Sequence, residues 1–276
     1  MSDALLETLD RVAREAAVVI REVYQTDFDV EYKGPADPVT LADKRANDLI
    51  CARLSALFPG VPIVAEESEP ESFAGYRGAE EIFFVDPLDG TREFIAKNGE
   101  FVVMIGFVSG PRALAGVIHA PESGISWVGH VGSGAYRVES NGKREPISVS
   151  DTPDLSEARV VGSRSHRNPS LERALASLGA RELVALGSAG LKATAVARGA
   201  ADAYVAPHYA GMRWDACASD AIVTAAGGKL TNVEGEYFDY RTEELGNDRG
   251  IIASNGRFHD LILQRLSLAK SRPVQG

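Results

Sequence analysis

The 276-residue chain has only two cysteines, Cys51 and Cys217. Neither stands in a CxxC or a Cys/His zinc pattern, so a disulfide framework and a structural zinc site are excluded. Both read as reduced thiols of a reducing compartment, which implies the cytoplasm. Long apolar runs are missing as well: none approaches the ~18 residues that a membrane span needs. A basic n-region is also lacking. Asp3, Glu7 and Asp10 stand where a secretory signal would carry lysine or arginine, so no signal peptide is expected. Positive charge is in short supply, with 29 Lys and Arg against 39 Asp and Glu and a formal net charge of −10. Such a surface repels nucleic acid and anionic membranes, so neither is an expected partner. It repels an anionic substrate too, unless metal ions supply local positive charge.

What is present is the composition of a soluble globular protein, 45% hydrophobic and 25% charged. The length suits one large domain or two ordinary ones. Leu5, Leu9, Val12, Ala16, Val19 and Val23 recur at helical spacing and predict a helix over 4–24. Asp37-Pro38 breaks the chain before a second helix over 41–58, which Pro59-Gly60 ends. Short strands follow over 62–65 and 82–85, and three more over 102–108, 113–119 and 125–131 lie in the close spacing of an antiparallel meander. The polar stretch 139–154, with Asn141-Gly142 and two prolines, is the expected boundary between an N-terminal domain (1–150) and a C-terminal one (151–276). Beyond it strands over 158–162, 182–186 and 203–206 alternate with helices over 169–178, 191–198 and 215–226. A final hairpin and helix follow. This alternation favours an α/β layered domain.

The chemistry concentrates in "VDPLDGTREFIAKNGEF", Val85 to Phe101. Asp86 and Asp89 are expected in a turn where a buried strand surfaces. One carboxylate could bridge two divalent cations while the other holds the second. Gly90 would let the backbone approach a bound group, and the Gly90 and Thr91 amides would offer anion donors. Ligands that are all oxygen point to Mg²⁺ or Mn²⁺ rather than zinc. A plain Pro-x-Asp-Gly turn is the competing account. An EF-hand loop fails on spacing, and a haloacid-dehalogenase-type site fails because Pro87 stands where its second acid belongs. Further acids add weight: Glu66 in "AEES", Asp43 in "DPVTLAD" and Asp215 in "GMRWDACASD". Each has a bland alternative: Glu66 as solvated surface, Asp215 as an N-cap, Asp43 as a first-turn acid favoured by the helix dipole.

Taken together and in this order, "DPVTLAD", "AEES", "VDPLDGTREF" and "RWDACASDAIVTAAGG" resemble the inositol monophosphatase superfamily of metal-dependent, lithium-sensitive phosphatases. The likeness covers most of the chain. Within the superfamily, "DPLDGTREFIAKNGEF", "GSRSH" (Gly162 to His166) and "GSAGLK" (Gly187 to Lys192) are similar to bacterial 3′(2′),5′-bisphosphate nucleotidases. The loop "HYAGMRWDACASD" departs from the usual pattern through Arg213 and Cys217. The resemblance implies an α/β (α+β) fold, the layered αβαβα sandwich of these sugar phosphatases. It implies that Glu66, Asp86 and the Leu88 carbonyl hold one Mg²⁺, that Asp86, Asp89 and Asp215 hold a second, and that a third, weaker one lies near Glu66, with Mn²⁺ as a substitute. Asp43 and Thr91, with Glu66, would orient and deprotonate the attacking water, and the Gly90 and Thr91 amides would bind the scissile phosphate. The implied reaction is hydrolysis of 3′-phosphoadenosine 5′-phosphate to AMP and phosphate, clearing a by-product of sulfate assimilation. An inositol-phosphate or sugar-phosphate phosphatase is the alternative, and a non-catalytic metal-binding or regulatory protein is the alternative of another class. The resemblance is compatible with a homodimer, although no motif marks an interface.

The second informative stretch is "GSRSHRNPSLERAL". Asn168 reads as an N-cap and Pro169 as the first helical residue, so Ser163, Arg164, Ser165 and His166 precede a helix start. Arg164 can grip a phosphate bidentately. With Gly187, Ser188 and Lys192 of "GSAGLK", these residues are expected to recognise a non-scissile phosphate and adenosine. A capped loop with a surface arginine, and a solvated Lys192, are the plain alternatives. "GHVGSGAY" is expected to be a turn, since no helix follows it. His119, His130 and His208 show no ligand spacing, and Trp214 is expected to pack.

Overall fold

The computed structural model describes residues 2–34, 37–165 and 169–271. The chain opens with α1 (Ser2–Tyr24), followed by a two-stranded ribbon of β1 (Val30–Gly34) and β2 (Asp37–Thr40), then α2 (Leu41–Leu57). Asp37-Pro38 was expected to break the chain; it lies instead in β2, where Pro38 pairs with Tyr32. In this two-stranded ribbon β2 has a partner on one side alone, so it is an edge strand, where a proline is tolerated.

The first sheet takes β3 (Ile63–Ala65), β4 (Glu81–Asp89), then, after the short α3 (Thr91–Ile95), β5 (Val102–Ser109), β6 (Arg112–Ala120), β7 (Ile125–His130), β8 (Gly134–Val138) and β9 (Arg144–Ile147). Its strands run in sequence order, β3 parallel to β4 and all later neighbours antiparallel. The meander is as expected, and "GHVGSGAY" is its β7–β8 hairpin. Within the polar stretch 139–154, Asn141-Gly142 turns the chain into β9, which adds a seventh strand. Its charged residues suit an edge, where they discourage pairing with another chain.

The second sheet has the order β11-β10-β12-β14-β13. It is built from β10 (Arg159–Ser163), α4 (Pro169–Ser177), β11 (Glu182–Leu186), α5 (Ala189–Ala197), β12 (Ala203–Ala206), α6 (Arg213–Ala225), β13 (Lys229–Thr231), β14 (Ile251–Ser254) and α7 (His259–Ser271). β10, β11 and β12 are parallel, as an alternating strand–helix sequence requires. β13 and β14 pair antiparallel, but residues 232–250 separate them, so they are not a tight hairpin. The expected N-cap Asn168 lies outside the described residues.

Three apolar layers hold the sandwich together. The outer one packs Leu6, Leu9, Ile20, Ile50 and Leu54 of α1 and α2 against one face of the first sheet. Each such fully buried side chain contributes ~1.5–3 kcal/mol. The buried stripe of α1 runs through Leu6 and Ile20, one position beyond the expected Leu5 and Val19. The middle layer joins the other face of the first sheet to the second sheet through α5 and α6, drawing on residues from Val64 to Ala253. The far layer covers the second sheet with α4 and α7. The order is helix, sheet, helix, sheet, helix, the five-layer sandwich anticipated from the sequence.

α5 and α6 are rich in small residues because both lie between sheets. A row of three glycines sets the depth of α6. Gly106, Gly116 and Gly129 are cross-strand neighbours on β5, β6 and β7. A Cβ on Gly116 would meet the Ala218 Cα at 2.8 Å, one on Gly129 the Ile222 Cα at 2.8 Å, and one on Gly106 would run into Cys217. The row is a trough into which the helix backbone settles, and it determines where the first turn of α6 ends up.

Candidate active site

Asp86 and Asp89 were expected in a turn beyond a strand ending at Val85. They lie within β4, which continues to Asp89. In a regular strand, residues three apart face opposite sides. Here the pairing with β5 slips between Asp86 (opposite Met104) and Asp89 (opposite Val102). That bulge, at Pro87-Leu88, turns both carboxylates to one side. Proline fits there because a bulged residue needs no ladder N–H. The Leu88 amide donates to Asp86 Oδ1 at 3.0 Å and fixes the bend.

Asp215 reaches the same point from α6. It is not an N-cap: the helix begins at Arg213, and Asp215 sits in its first turn, where its Oδ2 accepts from the Met212 amide at 2.6 Å. Gly211, in the left-handed region at φ 73°, leaves the space that the carboxylate occupies. Carboxylate oxygens of Asp86, Asp89 and Asp215 all lie within 4.8 Å of one another. Burial raises the Asp86 carboxyl well above its ordinary range, and the charges of Glu66, Asp215 and Asp89 raise it further. Asp215 is raised by burial and then by Asp89 and Glu66. Three acids held this close are short of a counter-charge. An all-oxygen donor set of this kind could hold a hard divalent cation.

Asp89 has a second set of partners. Its carboxylate accepts from the Ser188 hydroxyl, from the Ala189 amide at 3.1 Å and from the Gly190 amide at 2.7 Å. It thus sits at the N-terminus of α5, where the helix dipole favours an anion. Through Asp89 the first sheet is bonded to the "GSAGLK" segment.

Asp43 lies in the first turn of α2. Thr40 caps this helix, and Asp43 Oδ2 accepts from the Thr40 amide at 2.8 Å and hydroxyl at 2.6 Å. Its other oxygen, Oδ1, accepts from Thr91 Oγ1 at 3.0 Å. Thr91 Oγ1 is also 3.3 Å from the Leu88 carbonyl. Burial raises the Asp43 carboxyl, and the bonds from Thr40 and Thr91 partly offset this. Gly90, at φ 99°, turns the chain from β4 into α3, and a Cβ there would meet the Glu100 carbonyl at 2.9 Å.

Glu66 is not solvated surface alone. Its carboxyl is pushed up to about 7, by burial first, with Lys33 pulling it down and Glu67 pushing it up. Lys33 Nζ lies 3.0 Å from Glu66 Oε1 and 2.6 Å from Glu67 Oε1. Burial disfavours the Lys33 charge, but the two carboxylates outweigh that and raise its pKa. Nothing in the sequence singled out Lys33, because its partners are more than thirty residues away.

The "GSRSH" and "GSAGLK" segments meet at the ends of the parallel strands β10 and β11. Arg164 is held by Glu100 at 2.6 Å, and the Gly187 amide donates to the same carboxylate at 2.6 Å. Ser165 donates to Glu93, which is buried. Ser163 ends β10. His166 lies outside the described residues. Lys192 is neither solvated nor presented at the surface. It is buried beneath the turn and donates to the Ser188 carbonyl at 2.6 Å and the Gly187 carbonyl at 3.4 Å. Burial lowers its pKa, opposed by Asp89 and Glu93. Glu93 and Glu100 were missed as individual residues, although both stand in the stretch that carried the resemblance.

Arg213 is buried and donates to the Gly246 carbonyl at 3.0 Å and to Asn247. Trp214 packs in the middle layer. Cys51 and Cys217 are both free, and burial raises both thiols. His119 bonds Ser126 at 2.7 Å, His130 bonds the Val131 carbonyl at 2.9 Å, and His208 bonds Ser170 at 3.0 Å.

A model of the inositol monophosphatase family matches residues 1–271. The 3′(2′),5′-bisphosphate nucleotidase CysQ of Salmonella typhimurium is 35% identical over 244 residues, 87% of this chain and 95% of that protein. Among solved structures, CysQ of Bacteroides thetaiotaomicron superposes with a TM-score of 0.78 at 30% identity, covering 91% of this chain and 97% of that one. The Thermotoga maritima IMPase superposes with a TM-score of 0.82 at 26% identity, covering 97% and 98%.

Proposed function

The chain belongs to the inositol monophosphatase family, and within it we propose a Mg²⁺-dependent phosphomonoesterase that converts 3′-phosphoadenosine 5′-phosphate and water to AMP and phosphate. The convergence of Asp86, Asp89 and Asp215 carries the reaction class. The likeness to bisphosphate nucleotidases over 87% of the chain carries the substrate. Among the described residues no helix is long and apolar enough to cross a membrane, and a cytoplasmic enzyme of sulfur metabolism is the setting that fits this substrate.

Asp86, Asp89 and Asp215, with Glu66 and the Leu88 carbonyl, are the residues that would hold two Mg²⁺ ions, with a third near Glu66. When bound, the cations supply the positive charge that balances the acids and stabilises charge spreading over the phosphate. Thr91 Oγ1 gives its hydrogen to Asp43 Oδ1, which leaves its lone pairs to accept a hydrogen from water. Asp43, its pKa raised by burial, is a better proton acceptor than an exposed aspartate. The Gly90 and Thr91 amides, at the β4–α3 junction, would bind the scissile phosphate. Arg164, with Ser163, Ser165, Gly187 and Ser188, suits the other phosphate and the nucleoside. Lys192 supports that turn from beneath.

Phosphate release by the purified protein with Mg²⁺, comparing 3′-phosphoadenosine 5′-phosphate with inositol 1-phosphate, tests the reading. A strong preference for the nucleotide, in a reaction that lithium inhibits, is expected. The likeness to the Thermotoga maritima IMPase favours inositol 1-phosphate as the second reading. Preference for that ester would keep the metal centre and discard the nucleotide.

A further inference from the structure

A cradle for a second anion is already filled by one of the protein's own carboxylates. Arg164 Nη1 and the Gly187 amide both donate to one oxygen, Glu100 Oε2, each at 2.6 Å. The donors come from the ends of two adjacent parallel strands. The acceptor comes from a different segment, the Asn98-Gly99-Glu100 turn after α3, where the Glu100 amide bonds Asn98 Oδ1 at 2.9 Å. A guanidinium and a backbone amide converging on one anionic oxygen are also what a phosphate oxygen requires. We propose that Glu100 is a displaceable stand-in for the second phosphate of the substrate, released from Arg164 and Gly187 when a bisphosphate binds. This rests on the nucleotide reading above.

Exposure separates Glu100 from its neighbour Glu93. The Glu100 side chain is 22% exposed and Arg164 43%. Water reaches both, and an ion pair in that setting contributes little to stability, so opening it is easy. A phosphate brings about two charges and three acceptor oxygens against one charge and two oxygens for the carboxylate, so the exchange favours it. Glu93, by contrast, is 4% exposed and closed in against Ser165, which makes it a fixed strut. Gly187 lets the anion reach the amide directly: a Cβ there would lie 2.8 Å from Glu100 Oε2 and 2.5 Å from Glu93 Cγ. A substrate with a single phosphate leaves Glu100 in place and gains nothing at this cradle. A bisphosphate replaces the internal anion with its own.

The test is Glu100→Gln, which keeps the shape and an acceptor oxygen but removes the charge. Steady-state kinetics with Mg²⁺ would compare 3′-phosphoadenosine 5′-phosphate with p-nitrophenyl phosphate, after melting curves show a folded variant. KM for the bisphosphate is expected to fall by about two- to fivefold with kcat little changed, and p-nitrophenyl phosphate to be unaffected. Glu100→Ala, which removes the anion altogether, should move KM in the same direction. A bisphosphate KM that rises or stays put in both variants, or an equal shift on both substrates, overturns the inference. Wild-type protein that hydrolyses p-nitrophenyl phosphate but ignores the bisphosphate overturns the nucleotide reading, and the inference with it. A wild-type preference for the bisphosphate with unmoved variants overturns the inference alone.

Discussion

Thr91 Oγ1 donates to Asp43 Oδ1 across 3.0 Å, joining the first turn of one helix to the first turn of another 48 residues earlier. The other Asp43 oxygen is held by Thr40. Asp43→Asn removes the proton acceptor but keeps the size. Turnover is expected to fall by about 10²–10⁴-fold with KM little changed, and the weakened cap to cost about 1 kcal/mol of stability. Thr91→Val should lower kcat through the same pair while leaving the α2 cap intact. Steady-state kinetics on both variants checks this, and a variant with near wild-type kcat would remove the pair from the mechanism.

The crowded acids predict a protein that is more stable with metal than without. A ligand at a hundredfold its Kd stabilises the folded state by about 2.7 kcal/mol, so Mg²⁺ should raise Tm and a chelator lower it. Asp86 is fully buried and raised well above its ordinary range. Asp86→Asn should therefore melt higher than wild type in chelator, yet gain nothing from Mg²⁺. Calorimetric scans in both conditions decide. A wild-type Tm indifferent to Mg²⁺ and chelator would contradict the metal site.

Gly116 is the centre of the trough beneath α6. Gly116→Ala forces the helix outward and is expected to cost about 1–3 kcal/mol, the range for overpacking. Because α6 carries Asp215, the metal response should weaken as well. The readout is the Mg²⁺ concentration for half-maximal activity, measured beside Tm. Loss of stability with an unchanged metal requirement would show that the helix depth does not govern the site.

Arg164 donates to Glu100 and to the Ala185 carbonyl, on the opposite side of the Gly187-Ser188 turn from the bonds to Asp89 in chain order. Arg164→Ala should raise KM for the bisphosphate by tenfold or more, on the order of the 1.5–3 kcal/mol of a charged hydrogen bond. Hydrolysis of p-nitrophenyl phosphate should hardly change. Equal losses on the two substrates would sink the assignment of Arg164 to the second phosphate.

His259 contributes one pH dependence of stability. It is buried between Thr231 and Ser254, each at 2.8 Å, and burial lowers its pKa to about 4. The folded state holds it neutral, while the unfolded chain takes a proton below about 6.5. Its contribution is complete above about 6.5 and is lost as pH falls toward about 4, on the order of 3 kcal/mol in all. His259→Gln should therefore be less stable than wild type at pH 7, with the gap narrowing on acidification across that window. Denaturant titrations at several pH values check this; a constant gap would mean that the imidazole is not held neutral.

Local patterns made much of the molecule legible in advance. The first two helices, the meander and the alternating second half follow from periodicity and turn residues, and the sandwich architecture from the family resemblance that the ordered acidic motifs carry. Asp43, Glu66, Asp86, Asp89 and Asp215 could be picked out because the chemistry needs acids, and acids beside glycine and threonine are visible in one dimension. Four features belonged to the tertiary structure alone. The bulge that turns Asp86 and Asp89 to one side exists only against the register of β5. The trough for α6 needs glycines from three strands to become neighbours. The Glu100–Arg164 pair joins residues 64 apart, and the burial of Lys192 depends on the turn that folds over it. A sequence specifies spacing along the chain, whereas register, depth and charge pairing across layers arise only when separate segments pack.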